Sequence, residues 1–261
     1  VVRRGYDVLS EHYERAFGSE TKYGPWMWEL LGRVPEAGAV LDIGCGTGVP
    51  VARALVAAGQ RVTGVDISEV QIRRARELVP GADFIRADAT TLELPPGSFD
   101  AVVCLYVLIH VPVEEQPALL ELIASWLRPG GWFLSTTGHR AWTGTDENWL
   151  GGGAAMWWSH ADAATNRAWL VRVGFDVVHE EFVPEGDSGH VLFWARHHTP
   201  APYAAGSEPE LVRGTVTVRG RGQKWSTSTT AWAKAVGASW GTLWPMPGSV
   251  RCWYAPVNLE R

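Results

Sequence analysis

The residues best suited to chemistry cluster in the stretch GAVLDIGCGTG (residues 38–48). The apolar run Ala39-Val40-Leu41 leads into Asp42, and glycines follow at Gly44, Gly46 and Gly48. That order reads as a buried strand, a glycine turn and the start of a helix. Glycines accept positive φ and let a ligand come close to the backbone. The dinucleotide fingerprint G-x-G-x-x-G fails here, because its third place falls on Val49 or Val51, and no G-x-x-x-x-G-K-[ST] phosphate loop is present. A carboxylate at the strand end would repel a pyrophosphate; it suits a ligand carrying an ammonium and a sulfonium. Two more acids close short apolar segments, Asp66 after Arg61–Val65 and Asp88 after Asp83–Arg86. Three histidines, His110, His139 and His160, are candidate bases, since an ordinary imidazole titrates near neutrality. Each also has a structural reading, as a cap or a packed ring.

These residues need a frame. Two amphipathic helices are expected over 6–18 and 24–33, from Tyr6, Leu9, Tyr13, Phe17 and then Trp26, Leu30, Leu31 at helical spacing. They read either as packing helices or as a lid that keeps water from a site. A helix follows the glycine turn over 49–58, ended by Gly59, and leads to a second strand ending at Asp66. Ser68 is placed to cap the next helix, residues 69–78. A third strand (83–86), a fourth (101–105), a helix within 112–126 and a fifth strand (132–136) continue the alternation. A helix over 163–173, capped by Ser159 or Asp162, and strands over 175–181 and 190–197 complete it. Alternating strands and helices predict an α/β fold, a doubly wound, mostly parallel sheet of seven strands with the last antiparallel. Residues 138–158 break the rhythm. Glycine, polar residues and four tryptophans (Trp142, Trp149, Trp157, Trp158) mix there, as a covering loop or the lining of an apolar pocket.

The acid followed by G-x-G-x-G, together with VTGVDIS, PPGSFDAVVC and LRPGGWFLST, resembles the class I S-adenosylmethionine-dependent methyltransferases of small-molecule type. The resemblance covers residues 1–198. It implies a Rossmann-like fold and S-adenosyl-L-methionine as cofactor. It assigns the glycine loop of Asp42, Gly44, Gly46 and Gly48 to the cofactor, Asp66 with Ile67 to the ribose, and Asp88 with the Ala89 amide to the adenine. The carboxyl end of the fourth strand, Leu105-Tyr106-Val107-Leu108-Ile109-His110, faces the sulfonium, and Tyr13 belongs to the N-terminal cap. His160, His110 and His139 stand as candidates for a general base. The implied reaction is in-line methyl transfer to O, N or C of a small acceptor. Two alternatives remain: a non-catalytic partner protein with this fold, and a nicotinamide-dependent oxidoreductase, which Asp42 and the glycine spacing oppose.

The net charge of −5 is unevenly spread. Residues 1–200 carry 16 Lys and Arg against 25 Asp and Glu, whereas 201–261 carry 7 against 3. An acidic main region argues against nucleic acid as partner. No apolar run approaches the roughly 18 residues of a membrane helix. The amphipathic start lacks a signal-peptide core, and Cys45, Cys104 and Cys252 are scattered, so a reducing cytoplasmic setting without membrane contact is expected. No metal-ligand spacing stands out. The domain reading is a helical cap (1–34), a cofactor domain (35–198) and a tail (199–261), disordered or non-native in character. Glu210–Arg219 is its one candidate strand.

Overall fold

The computed structural model describes residues 1–17, 21–198, 215–220 and 223–228. The chain divides into two units, Val1–Pro200 and Ala201–Arg261.

In the first unit the helices are α1 (Val2–Phe17), α2 (Tyr23–Leu31), α3 (Val51–Ala57), α4 (Glu69–Leu78), α5 (Gln116–Trp126) and α6 (Ala163–Arg172). The strands are β1 (Ala39–Ile43), β2 (Arg61–Asp66), β3 (Asp83–Arg86), β4 (Phe99–Cys104), β5 (Leu127–Gly138), β6 (Trp142–Asp146), β7 (Met156–His160), β8 (Phe175–Glu185) and β9 (Ser188–His197). Seven of them form one sheet in the order β3-β2-β1-β4-β5-β9-β8. Its pairs are parallel except those of β9, which runs against both β5 and β8. The doubly wound sheet with a reversed last strand is thus the one its sequence predicts.

Side chains alternate between two cores, as strand geometry requires. Val40, Val103, Leu134 and Trp194 face α2 and α3 on one side. Leu41, Val102, Phe133 and Phe193 face α5 and α6 on the other. All five residues of β1 are buried, as a central parallel strand covered on both faces must be. β1 and β4 are neighbours, and the chain winds outward from them in opposite directions. Such a switch point opens a crevice at the carboxyl ends of the strands.

The stretch 138–158, expected to lack regular structure, holds a β-hairpin. β6 and β7 pair antiparallel from Trp142↔His160 to Asp146↔Met156, with a short 3-10 turn at Trp149–Gly151 between them. No alternation of apolar and polar residues marks it, because β6 is mostly exposed and only Met156 and Ser159 of β7 are buried. The fifth strand is longer than expected; the Pro129-Gly130-Gly131 segment lies inside β5.

In the second unit β10 (Thr215–Gly220) and β11 (Gln223–Ser228) pair antiparallel from Thr215↔Ser228 to Gly220↔Gln223. The expectation of a disordered or non-native tail otherwise lies outside the described residues, as does Cys252.

Candidate functional site

The glycine turn leaves β1 at the switch point. Gly44 and Cys45 both donate backbone N–H bonds to the Val65 carbonyl, at 2.7 and 3.0 Å, which folds the turn against β2. Gly44 has φ +66°, and a Cβ there would lie 2.1 Å from Val107 Cγ2, so only glycine fits. Gly48 serves the core instead. A Cβ there would press on Val79 and Phe84, so this glycine lets the start of the helix pack closely.

Asp66 closes β2 beside this turn. Its two carboxylate oxygens accept from the backbone N–H of Gly46 (2.9 Å) and of Ser68 (2.8 Å). Burial raises its pKa to about 6, even though those amides favour the charged form. Ser68 Oγ accepts from Gln71 N and so caps α4, as its position predicts. Asp42 is buried more deeply, at 3% exposure, and its Oδ2 has no hydrogen-bond partner. Burial first, and the neighbouring Asp66 charge second, push its pKa up to about 8. A buried carboxyl without a partner calls for a cation or a donor. Asp88 is exposed; its Oδ1 accepts from Thr90 N (3.0 Å) and Thr90 Oγ1 (2.8 Å), so it also caps a 3-10 turn.

A cleft of about 930 Å³, its open mouth included, runs over these strand ends. Gly44, Gly46, Asp66, Ile67, Asp88, Ala89 and Leu105 line it, with Tyr6 and Tyr13 of α1 as its roof. Asp42 opens into an adjoining recess shared with Tyr13, Gly44, Gly46 and Leu105. The structure therefore brings together the candidate cofactor residues around one crevice, with Gly48 behind it.

A second chamber, about 580 Å³ with its open mouth included, adjoins the cleft and shares Tyr6, Tyr13, Tyr106 and His110 with it as a common wall. Phe17, Tyr23, Ile109, Trp149 and Trp158 give it an aromatic and apolar lining. Lys22, Glu185 and His190 supply a polar cluster. Lys22 Nζ pairs with Glu185, and His190 Nε2 lies 3.4 Å from Glu185 Oε2. Burial alone would raise the Glu185 pKa, but His190, Lys22 and Tyr106 together hold it at about 2.

Of the three candidate bases, His110 stands in the common wall. Its Nδ1 donates to the Trp157 carbonyl at 2.8 Å, which leaves Nε2 as an acceptor for the Tyr6 hydroxyl at 3.0 Å. Burial lowers its pKa to about 4, so the ring is neutral. His160 lines a different cavity, beside Trp142 and Arg140, and its ring leans on Trp142. His139 packs its ring on Phe182, 4.7 Å between centroids. Neither lines the cleft or the aromatic chamber. No sequence pattern marked Lys22, Glu185 or His190. Tyr106 carried one signal, its place directly after a central strand, where it takes φ +61°.

A doubly wound sheet with an acidic, glycine-built crevice at its switch point defines a nucleotide-type binding domain. Comparison with known proteins narrows the class. Residues 40–131 match the family model described as "Methyltransferase domain". The 27-O-demethylrifamycin SV methyltransferase of Amycolatopsis mediterranei is 35% identical over 50% of this chain and 55% of its own length. The ubiquinone biosynthesis O-methyltransferase of Thiobacillus denitrificans is 37% identical over 42% and 49%. The chain thus spans about half the length of the curated relatives it matches. An S-adenosylmethionine-dependent methyltransferase structure from Mesorhizobium loti superposes with a TM-score of 0.57 at 25% identity, covering 69% of this chain and 100% of that one. Residues 40–131 thus match a methyltransferase domain, and the sheet around them has the fold of an S-adenosylmethionine-dependent methyltransferase structure. Among the described residues, no helix is long and apolar enough to cross a membrane.

Proposed function

We propose that this protein transfers a methyl group from S-adenosyl-L-methionine to a small acceptor molecule, in the cytoplasm. The observation that carries the reading is the pair of acids at the switch point. Asp66 is oriented by the Gly46 and Ser68 amides to receive two adjacent hydroxyls, and Asp42 is buried without a partner for Oδ2. A ligand with a ribose and an ammonium satisfies both. The relatives' own activities, methyltransferases by name, support the same reading.

Asp66 and Ile67 hold the ribose, Asp88 and the Ala89 amide meet the adenine, and Asp42 with Gly44 and Gly46 receives the amino-acid end. The bound cofactor supplies an electrophilic methyl on a sulfonium. Leu105, Tyr13 and Tyr6 keep water from it, which favours a step in which charge leaves the sulfur. The aromatic chamber holds the acceptor against the common wall, and the gain is largely one of proximity and alignment. A nicotinamide dinucleotide would set its pyrophosphate beside Asp42 and offer that carboxyl no ammonium.

Substitution of Asp66 tests the placement. Loss of charge-assisted hydrogen bonds worth roughly 1.5–3 kcal/mol should weaken S-adenosylmethionine binding on the order of 10- to 100-fold in Asp66→Ala, measured by calorimetry. Unchanged affinity would refute it.

A further inference from the structure

Exclusion of water does not by itself explain how the Tyr6 hydroxyl is held. Its ring meets those of Tyr13, His110 and Trp149 edge-on, at 5.5, 5.5 and 5.9 Å between centroids. Its hydroxyl donates to His110 Nε2, and the Trp157 carbonyl on Nδ1 fixes the tautomer that makes this possible. Tyr6 and His110 both face the cleft and the chamber. A group in the chamber that donates a hydrogen bond to the Tyr6 oxygen is therefore linked, through one hydroxyl, to an imidazole lone pair.

We propose that Tyr6 and His110 form a proton relay and that the acceptor is a planar aromatic compound methylated on a phenolic hydroxyl. The inference rests on the methyl-transfer reading above. The acceptor O–H proton passes to the Tyr6 oxygen while the Tyr6 proton passes to His110 Nε2. The acceptor oxygen forms its bond to the methyl carbon as the S–CH3 bond breaks, and that electron pair stays on the sulfur. A sulfonium and a neutral imidazole become a thioether and an imidazolium, so the net charge of the buried site is unchanged. The imidazolium returns its proton to solvent after product leaves.

Two features select a phenol. The chamber walls are flat rings, with Trp149 stacked on Phe17 at an interplanar angle of 25°, and such walls take planar ligands. The base is also weak, since burial depresses His110. Proton transfer to a weak base is within reach from a phenol, whose pKa is about 10 as in tyrosine, and far less so from an aliphatic alcohol.

The test compares 2-naphthol, its methyl ether 2-methoxynaphthalene, and 4-nitrophenol, which is more acidic. Equilibrium dialysis with S-adenosylhomocysteine present should show the wild type binding 2-naphthol about tenfold tighter than the ether, through the hydrogen bond to Tyr6. Tyr6→Phe keeps the ring and should bring the two to parity. At saturating S-adenosylmethionine, methylation of 2-naphthol should fall about 100-fold in Tyr6→Phe, and that of 4-nitrophenol by less than about tenfold, because an acidic phenol needs the relay least. Equal behaviour of wild type and Tyr6→Phe on both phenols would overturn the relay. Binding of S-adenosylhomocysteine with neither binding nor methylation of either phenol would overturn the phenolic acceptor and leave the cofactor reading standing. Absence of S-adenosylhomocysteine binding would remove the cofactor reading, and the relay with it.

Discussion

With its pKa at about 8, the Asp42 carboxyl is mostly protonated near neutral pH in the unliganded protein. An ammonium placed beside it favours the ionised form, so binding must expel the proton. By linkage, a ligand that selects the ionised carboxylate binds more tightly as pH rises toward 8 and gains little beyond it. Titrations of S-adenosylmethionine at pH 7, in buffers of different ionisation enthalpy, should report release of close to one proton. Asp42→Asn should abolish that release. A wild-type titration without proton release would remove Asp42 from contact with the ligand's ammonium. His110 works in the opposite direction on the fold itself. Its folded pKa of about 4 lies below the ordinary value of 6.5, so its contribution to stability is full above pH 6.5 and is lost as pH falls through 4.

At the level of helices and strands, α1 is fastened to α4 beside the cleft at the strand ends. Asp7 Oδ1 accepts from Ser68 Oγ at 2.6 Å, Ser10 Oγ donates to Gln71 Oε1 at 2.7 Å, and Arg74 Nη1 donates to Ser10 Oγ at 2.6 Å. An Arg74–Glu14 ion pair adds a fourth tie. Ser68 serves two helices at once, as cap of α4 and anchor of α1. Ser68→Ala should therefore cost about 1 kcal/mol of stability for the cap alone, read by chemical denaturation. Asp7→Ala should weaken S-adenosylmethionine binding several-fold by loosening the roof, with the sheet intact by circular dichroism. Unchanged affinity would make α1 a packing helix and not a lid. The anchored ends of this architecture were legible in sequence. Asp42 stands next to last in β1 and Asp66 closes β2, each after a short, bounded apolar run, and Ser68 precedes a helix of clear period. The chamber was not legible. Lys22 and Glu185 are 163 positions apart and meet only because α2 and the β8–β9 turn converge above the switch point. The β6–β7 hairpin was equally hidden, since it buries too little of either strand to impose a pattern.

Across the Val1–Pro200 unit, one arrangement accounts for the distribution of chemistry. Acids stand at the strand ends of the crevice proposed for the cofactor, aromatics line the chamber proposed for the acceptor, and Tyr6, Tyr13, Tyr106 and His110 separate the two. The acidic balance of residues 1–200 agrees with a ligand bearing positive charge. Calorimetric titration of S-adenosylmethionine, S-adenosylhomocysteine and NADH into the full chain probes that arrangement at its root. The two sulfur compounds should bind with a Kd on the order of micromolar, about −8 kcal/mol, and NADH should not bind. Binding of NADH, or of none of the three by a folded protein, would contradict a crevice built for S-adenosylmethionine.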